Sequence, residues 1–240
     1  MKFNINKRLK IIQKWLLPSC CNLCRKYLAT NSLCQTCKNS IIKTSPCCSI
    51  CQIALENTDI CGACLSLQPY FDRAFVLGDY GNALETLITG LKFEKQLHYG
   101  KTLSDLFIAQ LPSWYAEKNF PTLLIPVPLH KKRLKQRGFN QALEIAKPIA
   151  NTFSIPLDRF NCIRTKATET QMSLSKTKRK QNVANAFKVK ATVTAKHIAI
   201  IDDVMTTGHT LNALANQLKK QGAQQVDVWC CARTQLFLKI

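Results

Sequence analysis

The sequence predicts a parallel α/β sheet preceded by a small cysteine-rich module. Three observations lead there. Short apolar runs recur at 122–127 (TLLIPV), 196–201 (KHIAII) and 226–231 (VDVWCC). Helical patterns separate them, and apolar strands alternating with helices form parallel sheets. Ten of the thirteen cysteines fall between residues 20 and 64, ahead of this pattern.

The cysteine-rich stretch comes first in the chain. Cys21, Cys24, Cys34 and Cys37 follow one spacing, C-x2-C, nine residues, C-x2-C, and Cys48, Cys51, Cys61 and Cys64 repeat it 27 residues later. Cys20 and Cys47 share that offset, as do Leu23 with Ile50, Leu28 with Leu55, and Leu33 with Ile60. The segment is an internal duplication. Two thiolates two residues apart can face one ion, and two such pairs complete a tetrahedron around zinc. So short a segment buries too little apolar surface to fold alone, and the metal would supply the missing free energy. The repeat favours one ion per quartet, with a cross-braced exchange of pairs as the alternative. Closed four-cysteine sites hold no open position for substrate, so two structural Zn2+ ions are expected and no chemistry at either. Cys20 and Cys47 read as structural. Cys162, Cys230 and Cys231 read as core. A disulfide framework would suit a secreted chain. The basic N-terminus has only a broken apolar stretch and no small-residue cleavage site, so the expectation is a cytoplasmic protein. No apolar run reaches the roughly 18 residues a membrane span needs, so no membrane insertion is expected.

The chain has 240 residues, enough for one sizeable domain and a small one. The boundary is placed at 68/69, with the zinc module over 1–68 and the sheet domain over 69–240. Hydrophobic residues make up 46% and charged residues 20%, which excludes a disordered chain. The net charge is +20. Residues 131–137 (KKRLKQR) hold five basic groups, and residues 159–190 hold nine against the single acid Glu169. Such a field attracts phosphates, of a small ligand or of a nucleic-acid backbone.

Along the sheet domain, 139–151 reads as a helix. Leu211, Leu214, Ala215 and Leu218 recur at helical spacing, with Lys219 and Lys220 in the last turn and Gly222 as the stop. The run IAII ends in Asp202 and Asp203, and Thr206, Thr207, Gly208, His209 and Thr210 follow. Ligands of open parallel sheets bind beyond the carboxyl ends of the strands. Amides and hydroxyls of such a loop can cradle one phosphate at the next helix N-terminus, and Gly208 allows close approach. The acids can accept hydrogen bonds from vicinal hydroxyls. A ribose 5′-phosphate offers both groups, with Mg2+ easing the repulsion between the acids. No GxxxxGK[ST] and no GxGxxG occurs, which sets aside P-loop and dinucleotide readings.

IIDDVMTTGHT closely resembles the phosphoribosyl pyrophosphate loop of type I phosphoribosyltransferases. With IPVPLHKKRLKQRGFNQA (125–142), RTKATETQMSLSKTKRKQNVANAF (164–187) and the cysteine module, the chain from about Cys20 to Arg233 resembles the ComF family of competence proteins. The resemblance implies a type I phosphoribosyltransferase-like α/β fold, a parallel sheet flanked by helices, with an N-terminal double zinc ribbon. It implies phosphoribosyl pyrophosphate with Mg2+ as ligand and single-stranded DNA as partner in natural transformation, alongside other competence proteins such as a DNA translocase. Asp202 and Asp203 would hold the ribose hydroxyls, and Thr206 to Thr210 would wrap the 5′-phosphate. Pro126, Val127, Pro128, Leu129 and His130 would form the pyrophosphate loop, aided by Lys131, Arg133, Arg137 and Lys92. Residues 164–182 would be a mobile loop over the ligand, and His209 a spacer. An acceptor hood would fall in 70–115, where no signature appears. Lys131, Lys132, Arg133, Lys135, Arg137, Lys176, Lys178, Arg179 and Lys180 would grip DNA phosphates, with Phe139 as either a stacking face or a core residue. Three functions stay open: DNA uptake, an active phosphoribosyltransferase of nucleotide salvage, and a regulator that senses phosphoribosyl pyrophosphate.

Overall fold

The computed structural model describes residues 19–28, 32–42, 45–166 and 186–235. The cysteine module contains β1 (Ser19–Cys20), β2 (Tyr27–Leu28), α1 (Gln35–Asn39) and α2 (Gly62–Leu67). The sheet domain follows with β3 (Arg73–Asp79), α3 (Asn82–Phe93), α4 (Leu97–Trp114), β4 (Leu123–Pro126), α5 (Lys131–Arg137) and α6 (Gln141–Phe153). It closes with β5 (Cys162–Arg164), β6 (Phe187–Val189), β7 (His197–Met205), α7 (His209–Lys220) and β8 (Gln225–Arg233). Among the described residues no helix is long and apolar enough to cross a membrane.

Four strands form one parallel sheet in the order β3-β8-β7-β4, with β7 and β8 at its centre. The central strands are apolar on both faces because both faces are covered. Phe75, Leu77, Leu124, Ala199, Ile201, Trp229 and Cys231 face a layer built by α3, α4 and α6. Ala74, Val76, Ile125, Ile198, Ile200, Val228 and Cys230 face α7 and the β5–β6 hairpin. The alternation follows the two-residue period of a strand.

Three elements differ from the sequence expectation. β7 does not stop at Ile201 but runs through both acids to Met205, because β8 also continues and pairs Asp202 with Cys230 and Met205 with Arg233. Residues 73–79, inside the stretch assigned to an acceptor hood, are the edge strand β3. KKRLKQR, read as a charge run, is helix α5, opened by His130, whose Nδ1 accepts from the Lys132 amide, and closed by Gly138 at φ 87°.

At the N-terminal ends of the central strands lies a buried polar cluster. Asp227 is 0% exposed. It accepts from Tyr115 Oη at 2.6 Å and from the Arg73 guanidinium at 3.2 Å, and His197 Nε2 lies 2.9 Å away. Trp229 Nε1 donates to Tyr115 Oη at 3.0 Å. Burial would raise the carboxyl pKa, but hydrogen bonds from His197, Tyr115 and Arg73 hold it below the ordinary aspartate value. This cluster faces away from the site described next and anchors β3 to β8.

Candidate functional site

The duplication in sequence is a duplication in hydrogen bonds. The Cys21 amide donates to Lys26 O, and the Cys48 amide to Ile53 O, both at 2.8 Å. Arg25 N to Cys21 O is matched by Gln52 N to Cys48 O, both at 2.9 Å. Cys20 pairs with Tyr27, and Cys47 bridges to Ala54. Arg25 and Gln52 both sit in the left-handed region, at φ 63° and 59°. Every pair obeys the 27-residue offset, so two copies of one knuckle are folded alike.

The sulfurs gather as the repeat expects. Cys21, Cys24, Cys34 and Cys37 form one cluster, and Cys48, Cys51, Cys61 and Cys64 the other, with all ligand atoms of each within 4.8 Å of one another. This sets aside the cross-braced arrangement. Cys24 and Cys34 Sγ are 3.7 Å apart, as are Cys51 and Cys61 Sγ. A zinc tetrahedron with Zn–S of about 2.3 Å has edges of about 3.8 Å, so each quartet fits that ion. Electrostatics agree. Burial opposes ionisation of Cys21 and Cys48, but surrounding backbone amides lower their thiols to about 6 and about 7. Burial pushes Cys37 up to about 12 and Cys64 upward as well. Each quartet mixes thiolate-prone and thiolate-averse sulfurs, and a bound cation would settle all four as thiolates. Cys20 and Cys47 stand outside both clusters; Cys47 Sγ lies 3.1 Å from Gln52 Oε1. Cys162, Cys230 and Cys231 are buried in the core.

The two acids answer the tension of their adjacency by pointing apart. Successive side chains of a strand face opposite sides. Asp203 joins the α3 side, where its Oδ2 meets Lys92 Nζ at 2.7 Å. Among the described residues no other donor is aligned on that oxygen, which is buried. Asp202 faces the β5 side and interacts with Arg164. Each acid also accepts from the next backbone amide, Asp203 N to Asp202 Oδ1 at 2.9 Å and Val204 N to Asp203 Oδ1 at 2.8 Å. Burial, then the charge of Asp203, raises the Asp202 carboxyl to about 8, against the pull of the Asp203 amide and Lys92. Asp202 is thus a carboxyl that gains a reason to ionise when a cation approaches.

Thr206 and Thr207 are exposed and Gly208 is buried at φ 77°. Gly208 is the N-cap of α7 and brings no side chain to cap it, no acid stands in the first turn, and the His209 amide reaches Thr207 Oγ1 at 3.5 Å. The N-terminus of this twelve-residue helix follows the loop directly, an arrangement that suits an anion. A β-carbon at Gly208 would meet Met205 Cε at 2.9 Å, and its φ is one that side chains rarely adopt. His209 is exposed as the first helical residue, and Thr210 is half-buried.

The second loop is held beside the first. Val127 N donates to Ile201 O at 2.9 Å, extending β4 alongside the acids. Asn140 does two jobs: its Nδ2 donates to Val127 O at 3.0 Å, and its Oδ1 caps α6 at Ala142 N. Pro126 and Val127 are buried, while Pro128, Leu129 and His130 are half-buried at the rim. In RGFNQ, Gly138 ends α5, Asn140 ties the loop, and buried Gln141 accepts from Arg137 Nη1 at 2.6 Å. Burial lowers the Arg137 pKa, with Asp203 opposing. Phe139 packs against the core.

Among the expected ligand residues, Lys92 and Arg137 converge on Asp203, whereas Lys131, Lys132, Arg133 and Lys135 are exposed along α5. Lys176, Lys178, Arg179 and Lys180 lie outside the described residues, as does most of the expected mobile loop; its first residue, Arg164, is the end of β5. Two contributors escape sequence reading. Arg164 counts only as loop charge in one dimension. Arg233 ends an apolar strand, yet it is 3% exposed and donates from Nε to Cys51 O at 3.2 Å and from Nη1 to Met205 O at 3.0 Å. It joins a zinc ligand to the root of the phosphate-type loop.

A model of the phosphoribosyl transferase domain matches residues 140–235, and one of the double zinc ribbon domain matches residues 12–65. Sheet, loop and cysteine clusters together define a phosphoribosyltransferase-type α/β protein carrying a double zinc ribbon. The chain is 34% identical over 225 residues to DNA utilization protein YhgH of Shigella flexneri, covering 91% of this chain and 98% of that protein. It is 35% identical over 212 residues to Competence protein F of Haemophilus influenzae (86% and 93%), and 29% over 143 residues to Competence protein ComFC of Bacillus subtilis (60% and 56%). This chain belongs to the ComF family. A purine phosphoribosyltransferase structure from Pyrococcus horikoshii overlaps 56% of this chain and 73% of its own at 17% identity and a TM-score of 0.32, too slight a likeness to bear on the site.

Proposed function

We propose that this protein acts in natural transformation and DNA uptake in the cytoplasm, binding phosphoribosyl pyrophosphate with Mg2+ at the β7–α7 end and single-stranded DNA along its basic surface. The observation that carries the ligand is the glycine-capped N-terminus of α7, with no acid in its first turn, a few residues after Asp202 and Asp203. Thr206 to Thr210 would take the 5′-phosphate, and the Pro126–His130 loop the pyrophosphate. Asp202, whose carboxyl pKa is pushed up by burial and by the charge of Asp203, would be drawn to ionise by a divalent ion. Asp202 and Asp203 would hold Mg2+ at that rim, where the ion would supply positive charge against the phosphates. Exposed Lys131, Lys132, Arg133 and Lys135 on one short helix supply phosphate contacts of a kind that give steep salt dependence. The names of the relatives, DNA utilization and competence proteins, support the same role.

Calorimetric titration of the full chain with phosphoribosyl pyrophosphate and Mg2+ tests the cradle. Saturable binding is expected. The double variant Asp202→Asn, Asp203→Asn should lose it while retaining two zinc ions and a cooperative thermal transition. Retained binding would sink the assignment of the acids. Pyrophosphate release on adding a nucleobase would shift the function to an active phosphoribosyltransferase.

A further inference from the structure

Phe93 is an aromatic side chain in an unusual place. It ends α3 with 71% of its surface exposed. Its chain neighbour Lys92 is the ion-pair partner of Asp203, at 2.7 Å. The guanidinium of Arg137 lies over its ring, 5.6 Å from the centroid. Arg137 is in turn fixed by buried Gln141 at 2.6 Å and feels the charge of Asp203. A lone exposed phenylalanine needs no explanation. This one is held at the rim of the anion cradle, beside a cation whose orientation is locked from behind. Tyr27 and Phe160 are similarly exposed, but the cation over Phe160 is Arg159, which is not one of those that meet the acids.

The geometry points to Phe93 and Arg137 as a stacking platform for a nucleobase. The location as a nucleotide site rests on the phosphate reading above; the stacking does not. A planar heterocycle laid on the ring covers apolar surface that water now wets. The neighbouring guanidinium adds attraction to the same π-systems and offers donors at the edge of a base. The chemistry recognises a base by its face, so it tolerates any sequence. A free nucleobase and a base of a single strand share that face, and the test separates them.

The test uses the full zinc-loaded chain and three probes: a short oligothymidylate, an abasic oligonucleotide of equal length, and free adenine. Phe93→Ala should weaken oligothymidylate or adenine binding about tenfold, the order of one lost base stack. Abasic binding, phosphoribosyl pyrophosphate affinity and zinc content should not move. Phe93→Trp should restore the affinity. A loss confined to oligothymidylate assigns the platform to a strand, and a loss confined to adenine assigns it to a free base; both support it. If wild-type and Phe93→Ala bind both base-bearing probes alike, or neither binds them, the platform is overturned. If the wild type fails to bind phosphoribosyl pyrophosphate but the Phe93 effect appears, the platform stands and the cradle reading falls.

Discussion

The two zinc knuckles share one backbone design yet meet the sheet domain in different ways. The first meets α4 through its side chains: Asn22 Nδ2 donates to Thr102 at 2.6 Å and Ser32 reaches Asp105 at 3.3 Å. Its Cys24 is exposed. The second is joined through backbone: Ala74 N of β3 donates to Ile50 O at 2.7 Å, and Arg233 holds Cys51 O. Its four cysteines are all 9% exposed or less. Duplication therefore made two equal folding units and left them with unequal duties. One is a buttress on the helical layer, and the other is continuous with the sheet and the loop that follows the acids.

The largest expected effect breaks that equality. Cys51→Ser should remove the second ion and with it metal-binding free energy on the order of 10 kcal/mol, enough to unfold the sheet edge. Cys24→Ser should lose one zinc and leave a cooperative transition. Metal analysis with thermal denaturation separates the two, and equal damage from both would erase the distinction. A middle-sized effect serves as a control that should spare the difference between the knuckles. Asp227→Asn removes the charge that faces Arg73 and His197 in the buried cluster, and about 3 kcal/mol of stability should go with it. The folded carboxyl titrates below its unfolded value. Its stabilisation is thus complete above the unfolded pKa of about 3.9 and is lost as pH falls through the folded value. In urea melts the variant should lose most against wild type near neutrality and converge with it at acid pH. The smallest effect sharpens the comparison. Arg233→Met should cost about 2 kcal/mol, by orphaning the Cys51 carbonyl while Met205 O keeps the Thr234 amide, and should weaken phosphoribosyl pyrophosphate binding in calorimetry. Asn22→Ala should cost about 1 kcal/mol and leave that affinity unchanged. Equal affinities in the two variants would mean that the tie from Cys51 to Met205 does not shape the loop.

The metal module was the most legible part of the sequence, because ligation fixes spacing along the chain and a repeated spacing needs no third dimension. The central strands were legible too, since a strand covered on both faces must read as an unbroken apolar run. β3 was hidden because its RAFVLGD pattern names no ligand and stands apart from the other apolar runs, ahead of two helices. α5 was hidden because it buries nothing: its residues are charged or exposed, and its ends are set by His130 and Gly138. The acids were placed at the right strand end, but their opposite facings follow from the strand continuing through them. Lys92 was singled out for an anion, and its partner Asp203 lies too far along the chain for any periodicity to show the pair. Arg233 resembled a strand exit, and only the fold brings Cys51 and Met205 to it.

The second knuckle also covers part of the open side of the sheet. β3 is an edge strand, and its outward backbone donates from Ala74 N to Ile50 O, while Ile41 O packs over Gly78 where a β-carbon would collide with it. A bare parallel edge is a template on which another chain can add a strand. Metal occupancy in this fold is therefore a safeguard against self-association: a chain that lost its zinc would offer β3 to its neighbours, and its fate would be set by protein concentration as much as by stability.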